Sequence, residues 1–167
     1  MKIGITGHQR LESAAAWEWV QQQMEAVIHD RATATIDAYS SLAIGADQRF
    51  AVVAIKHGAN LHVIVPCSGY EGTFTTQEDL RQCRDLLSKA STVELLDYPQ
   101  PTEEAFMAAG KRIIDTVDLL VAVWNGEEAD GTGGTDDAVG YAVEHGTPVI
   151  QINPVTKTLT ALPRLPA

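Results

Sequence analysis

DLLVAVWNGEEADGTGGTDDAVGYAVEHGTPVIQI, residues 118–152, decides the fold. An apolar run at 119–123 ends in a turn. A glycine-rich loop, Gly131-Thr132-Gly133-Gly134-Thr135, then opens a helix that stops at Gly146, and a second apolar run fills 148–152. Together these make one βαβ unit. Small residues at a helix N-terminus let backbone N–H groups approach an anion, and the helix dipole adds partial positive charge there. The anion implied is a phosphate or pyrophosphate. A plain glycine-rich connection without a ligand is the alternative, but three glycines and two threonines exceed what a connection needs.

Working outward, strands and helices alternate along the chain. Residues 2–6 read as a strand, and Ser13 as the cap of a helix running to about Asp30, with Trp17, Val20, Met24 and Val27 at helical spacing. A second strand is expected within 33–40, a helix from about Ala46 to Gly58, a strand at 61–65 and a helix opened by a capping box at Thr75-Thr76-Gln77-Glu78. A short strand at 93–96 and a helix begun by Thr102 lead into the βαβ unit. Six strands and five helices in this alternation predict an α/β fold: a Rossmann-like three-layer α/β/α sandwich around a mostly parallel sheet. One domain is expected over 1–155. The tail, 156–167, has two prolines and no period and is expected to hold little structure.

In such sheets ligands bind beyond the carboxyl ends of the strands, at the switch point of the strand order. The turns at those ends hold most of the unusual residues. Gly7, His8 and Arg10 follow the first strand, where Arg10 is placed to pair with a phosphate or to be a surface arginine. Gly45 permits close approach after the second. Asp47 is either an acceptor for ribose hydroxyls or a first-turn helix carboxylate. Tyr70 and Phe74 are candidates to stack on a base or to lid a loop, and Cys67 reads as a buried thiol. Glu127, Glu128 and Asp130 precede the glycine loop; such clusters more often mark a solvated loop than a metal, and no metal or other cofactor is expected. Asp136 and Asp137 fall in the first turn of the last helix.

The 167 residues carry a formal net charge of −10 and a sequence pI of about 4.8. That predicts no nucleic-acid partner and no anionic-membrane partner, because both need clustered Lys and Arg. Apolar runs of about five residues are far short of the roughly 20 that span a bilayer. The start, MKIGITG, reads as a strand and glycine turn rather than a secretory signal, and two cysteines without metal spacing fit reduced thiols, so a cytoplasmic location is expected.

GITGH after the first strand, SLAIGAD after the second, VIVP closing the third and the 118–152 stretch together resemble the SLOG superfamily. This Rossmann-like group includes the Lonely Guy phosphoribohydrolases and the Smf/DNA-processing protein A domains. The last stretch is also similar to nucleoside 2-deoxyribosyltransferases. The resemblance spans about 1–153. It implies a nucleotide or nucleotide-derived ligand at the glycine loop, and relatives of this frame commonly form dimers, so a homodimer is expected.

The enzymes of both groups use a carboxylate at an N-glycosidic bond. In the Lonely Guy pattern, GGxGTxxE, the glutamate position after Gly134-Thr135 is Ala138; the transferase pattern places it there too, ahead of Val139-Gly140-Tyr141-Ala142. Asp137 is adjacent, but one helical residue is a rotation of about 100°. The arginine expected on the preceding helix is also unmatched, with Lys111 and Arg112 nearby. The sequence therefore favours a binding or sensing domain, with an NAD- or ADP-ribose-type signal as one ligand class. The alternative is an N-glycosidase or deoxyribosyltransferase using a relocated carboxylate, Asp136 or Asp137.

Overall fold

A computed structural model describes residues 1–31, 35–128 and 134–162. Its seven strands are β1 (Lys2–Gly7), β2 (Asp37–Ser40), β3 (Asn60–Val65), β4 (Thr92–Leu95), β5 (Leu119–Val123), β6 (Val149–Asn153) and β7 (Thr158–Ala161). Between them run α1 (Ala14–His29), α2 (Ala46–Lys56), α3 (Gln77–Lys89), α4 (Glu103–Ile114) and α5 (Thr135–Glu144), with a 3₁₀ turn at Tyr70–Thr73.

Local chemistry sets the helix starts. Ser13 Oγ accepts from the Ala16 N–H, Thr76 Oγ1 from Asp79 and Thr102 Oγ1 from Ala105. The α3 box lies one residue later than the sequence implied. Thr76 is the cap, and its hydroxyl also donates to the Asp79 carboxylate, 2.6 Å away.

The strand order is β4-β3-β2-β1-β5-β6-β7, all pairs parallel except β6 with β7. Side chains alternate through the sheet. Leu119, Val121 and Val123 pack with Ile3 and Ile5 against α1 and α2, while Leu120 and Ala122 pack on the other face against Ala138, Val139 and Ala142 of α5. Strands buried on both faces read as continuous apolar runs, which is why β5 announced itself. Helices α1, α2 and α3 cover one face; α4 and α5 cover the other.

The chain leaves β1 in one direction to build β2, β3 and β4. It then crosses by α4 to β5 on the far side of β1, so the switch point lies between β1 and β5.

The expectation for the tail fails over 158–161. Asn153 Oδ1 accepts the N–H groups of Val155 and Thr156, which turns the chain, and β7 then pairs antiparallel with β6, Leu159 opposite Ile152. The β7 side chains are exposed, so no apolar period could betray it. No helix among the described residues is long and apolar enough to cross a membrane.

Gly7 marks a close approach within the sheet. A Cβ there would sit 2.7 Å from the β-carbons of both Ala46 and Val123. Gly7→Ala should therefore cost about 1–3 kcal/mol in urea denaturation. Gly72→Ala, whose Cβ meets nothing within 4 Å, should change stability by less than about 0.5 kcal/mol. Equal effects of the two would refute this packing.

Candidate functional site

A cavity of about 630 Å³ opens beyond the carboxyl ends of β1, β2 and β5, on the switch point. Its floor is Gly7 and His8. The His8 N–H donates to the Val123 carbonyl at 3.0 Å, continuing the β1–β5 ladder by one residue. The His8 ring then takes up the start of the β5–α5 loop: the Asn125 N–H donates to Nε2 at 3.2 Å. The loop is fixed further on. Trp124 Nε1 donates to the Glu127 carbonyl, Asn125 Nδ2 to the Glu127 carboxylate, Gln151 to the Trp124 carbonyl and Asn153 Nδ2 to the Asn125 carbonyl.

The β2–α2 turn forms the second side. Leu42 holds a left-handed φ of +58°, at a cost of about 1–2 kcal/mol for a non-glycine residue. Its N–H donates to Ser40 Oγ, and its carbonyl accepts from Gln48 Nε2. Asp47 completes this knot: Oδ2 accepts from Ser40 Oγ at 3.2 Å and from the Ser41 N–H at 3.0 Å. Burial pushes the Asp47 carboxyl up to about 6, against those hydrogen bonds, which pull it down.

The third side is aromatic. Tyr70 packs edge-on to Phe74 with ring centres 5.4 Å apart, and its ring centre lies 6.3 Å from that of Phe106 on α4. Burial raises the Tyr70 hydroxyl far above its ordinary value, so it stays protonated. Gly110 of α4 also lines the cavity, and a Cβ there would meet nothing within 4 Å.

Of the residues singled out from sequence, Gly7, His8, Asp47, Gly134, Thr135 and Asp136 line this cavity. Gly131, Thr132 and Gly133 lie outside the described residues. Arg10 is exposed and not part of the lining. Gly45, at φ +89°, packs on the turn after β1 instead, since a Cβ there would strike the Gln9 backbone. Asp137 is not in the lining either. Asp136 is, and so is Ala138, 6% exposed, at the position where the resemblance places a glutamate. Sequence reasoning missed Ser40, Gln48, Asn125, Phe106 and Gly110. A glycine in the middle of an otherwise good helix, costing about 1 kcal/mol against alanine, was the one visible signal.

No family profile and no curated protein matches this chain. Among solved structures it is similar to DNA processing protein A from Streptococcus pneumoniae, with a TM-score of 0.63 and 17% identity over 90% of this chain and 49% of that one. It is similar to DNA processing protein A from Helicobacter pylori, with a TM-score of 0.65 and 15% identity over 90% of this chain and 64% of the other. A third is TM1055, a structural-genomics target, at 0.56 and 12% identity, over 89% and 71%. The chain thus spans about half of the first relative and under two-thirds of the second. At these identities what is shared is the fold alone.

One expectation falls here. The Helicobacter pylori structure is described for a unique single-stranded DNA binding mode, so the exclusion of nucleic acid does not stand for a chain of this fold. Net charge was the wrong measure. Salt confines exposed charges to a range of about 8–10 Å, so a total of −10 says little about the field at any one surface.

Asp47 has a measurable signature. Its folded pKa of about 6 lies above its ordinary 3.8, so between those values the native state binds more protons than the unfolded one. This contribution to stability is complete below about pH 4 and is lost as pH rises through 6. Asp47→Asn keeps an acceptor oxygen and removes the titration. Wild type should therefore lose stability relative to the variant between pH 4 and 7 in parallel urea titrations; a flat difference would exclude a raised pKa.

Proposed function

We propose that this chain binds a nucleotide or nucleotide-derived ligand in the switch-point cavity and acts as a binding or sensing domain. The observation that carries this is the cavity itself: about 630 Å³, within the size of small-ligand sites, with aromatic walls for a ring and polar groups from three strand ends for a sugar. The SLOG-type fold supports the same ligand class. The binding role is supported by Ala138: where the sequence resemblance places the carboxylate that acts at an N-glycosidic bond, this wall presents a methyl group.

Asp136 favours a second reading, an N-glycosidase or transferase, because its residue also lines the cavity. A single strand of DNA presents the same bases and sugars, and a neighbour in fold is described as binding it. A short oligonucleotide therefore belongs among the probes.

The test is a thermal-shift screen with nucleosides, nucleotides, NAD, ADP-ribose and an oligonucleotide. A ligand at 100 times Kd should add about 2.7 kcal/mol. Gly110→Leu, which adds bulk to a residue of the cavity wall, should reduce that gain, and the helix tolerates a side chain there, since a Cβ meets nothing within 4 Å and replacing a mid-helix glycine gains up to about 1 kcal/mol. No shift with any probe would refute the binding role. Release of free base near 1 s⁻¹, abolished by Asp136→Ala, would make the chain an enzyme.

A further inference from the structure

Among the described residues lining the cavity, Asp47, Glu127, Glu128 and Asp136 are carboxylates and none is Lys or Arg. Most of the chain's cations are held elsewhere, by carboxylates, as Arg84 is by Glu71 and Arg112 by Glu94, or over rings, as Arg49 is over Trp17.

The helix dipoles do not restore the balance. The two helices that contribute their first turns to the cavity, α2 and α5, already carry Asp47 and Asp136-Asp137 there. Those carboxylates sit in the partial positive charge that a phosphate would need. Ribose hydroxyls, by contrast, are donors, and carboxylates are acceptors. The aromatic wall of Tyr70, Phe74 and Phe106 takes a planar ring whether neutral or cationic.

We infer that the cavity is a site for an uncharged or cationic nucleoside and selects against each phosphate added to it. This rests on the cavity being the ligand site proposed above. The ring lies against the aromatic wall, the ribose hydroxyls donate to the carboxylates, and a 5′-phosphate meets like charge with no Lys or Arg among the described lining residues to offset it.

Isothermal titration at low salt decides this, using the four ribonucleosides, their 5′-mono- and diphosphates, and nicotinamide riboside as the cationic probe. The best nucleoside should bind at least tenfold tighter than its own monophosphate, and the diphosphate should be weaker again. The gap should narrow in 0.5 M salt (Debye length below about 8 Å), and in a Glu127→Gln/Glu128→Gln variant. Both residues are exposed, and glutamine retains the oxygen that accepts from Asn125, so folding should survive, as circular dichroism would check. A monophosphate that binds as tightly as its nucleoside, or a ratio unmoved by both salt and the double variant, overturns the inference and leaves the binding role standing. If no nucleoside or nucleotide binds, both fall together.

Discussion

The structure turns on the contact between the ends of β1 and β5 at Gly7. Three things meet at that residue: the parallel ladder that pairs it with Val123, the first turn of α2 through Ala46, and the floor of the cavity. Any other side chain must push its neighbours apart, because a Cβ would fall inside van der Waals contact with both. The next residue, His8, spends its backbone N–H on the β5 carbonyl and its ring nitrogen on the β5–α5 loop. The close approach that completes the sheet thus also sets where the ligand-facing loops begin.

Around that floor the protein holds its cavity walls by buried hydrogen bonds rather than by packing alone. The β2–α2 turn forces Leu42 into a left-handed conformation and secures it with Ser40, Gln48 and Asp47. The strain is local and small beside the whole, and it is over-determined by three side chains. Such outliers gather where a fold shapes a site. The β5–α5 side is tied by part-buried and exposed hydrogen bonds, and Asn153 serves twice there, holding the Asn125 carbonyl and turning the chain into β7. The last strand and the candidate site therefore depend on one side chain.

Electrostatics gives the cavity its character. The cavity presents carboxylates at two helix starts and at its rim, an alanine where the sequence resemblance places a glutamate, and no Lys or Arg among the described lining residues. Ligand class follows from these side chains and not from the frame, because the same fold hosts unrelated sites.

The amino-acid sequence by itself determined the layers and their order along the chain. The apolar runs of β3 and β5 are strands buried on both faces, and a run of that kind has no other stable place. Capping residues such as Ser13 and Thr102 act within three residues and are readable locally. Most of the strand-end residues that line the cavity were legible for the same reason: a parallel sheet sends its strand-end turns to one edge. What only the tertiary structure decided is which of those residues face one another. Gly45 and Asp47 are two positions apart, yet one packs on the Gln9 backbone and the other lines the cavity. Phe106 and Gly110 reach the cavity because α4 crosses from β4 to β5, and β7 forms because Asn153 turns the chain back onto an open edge. These are relations between segments distant in sequence, set by packing and long-range hydrogen bonds, and they leave no periodic trace along the chain.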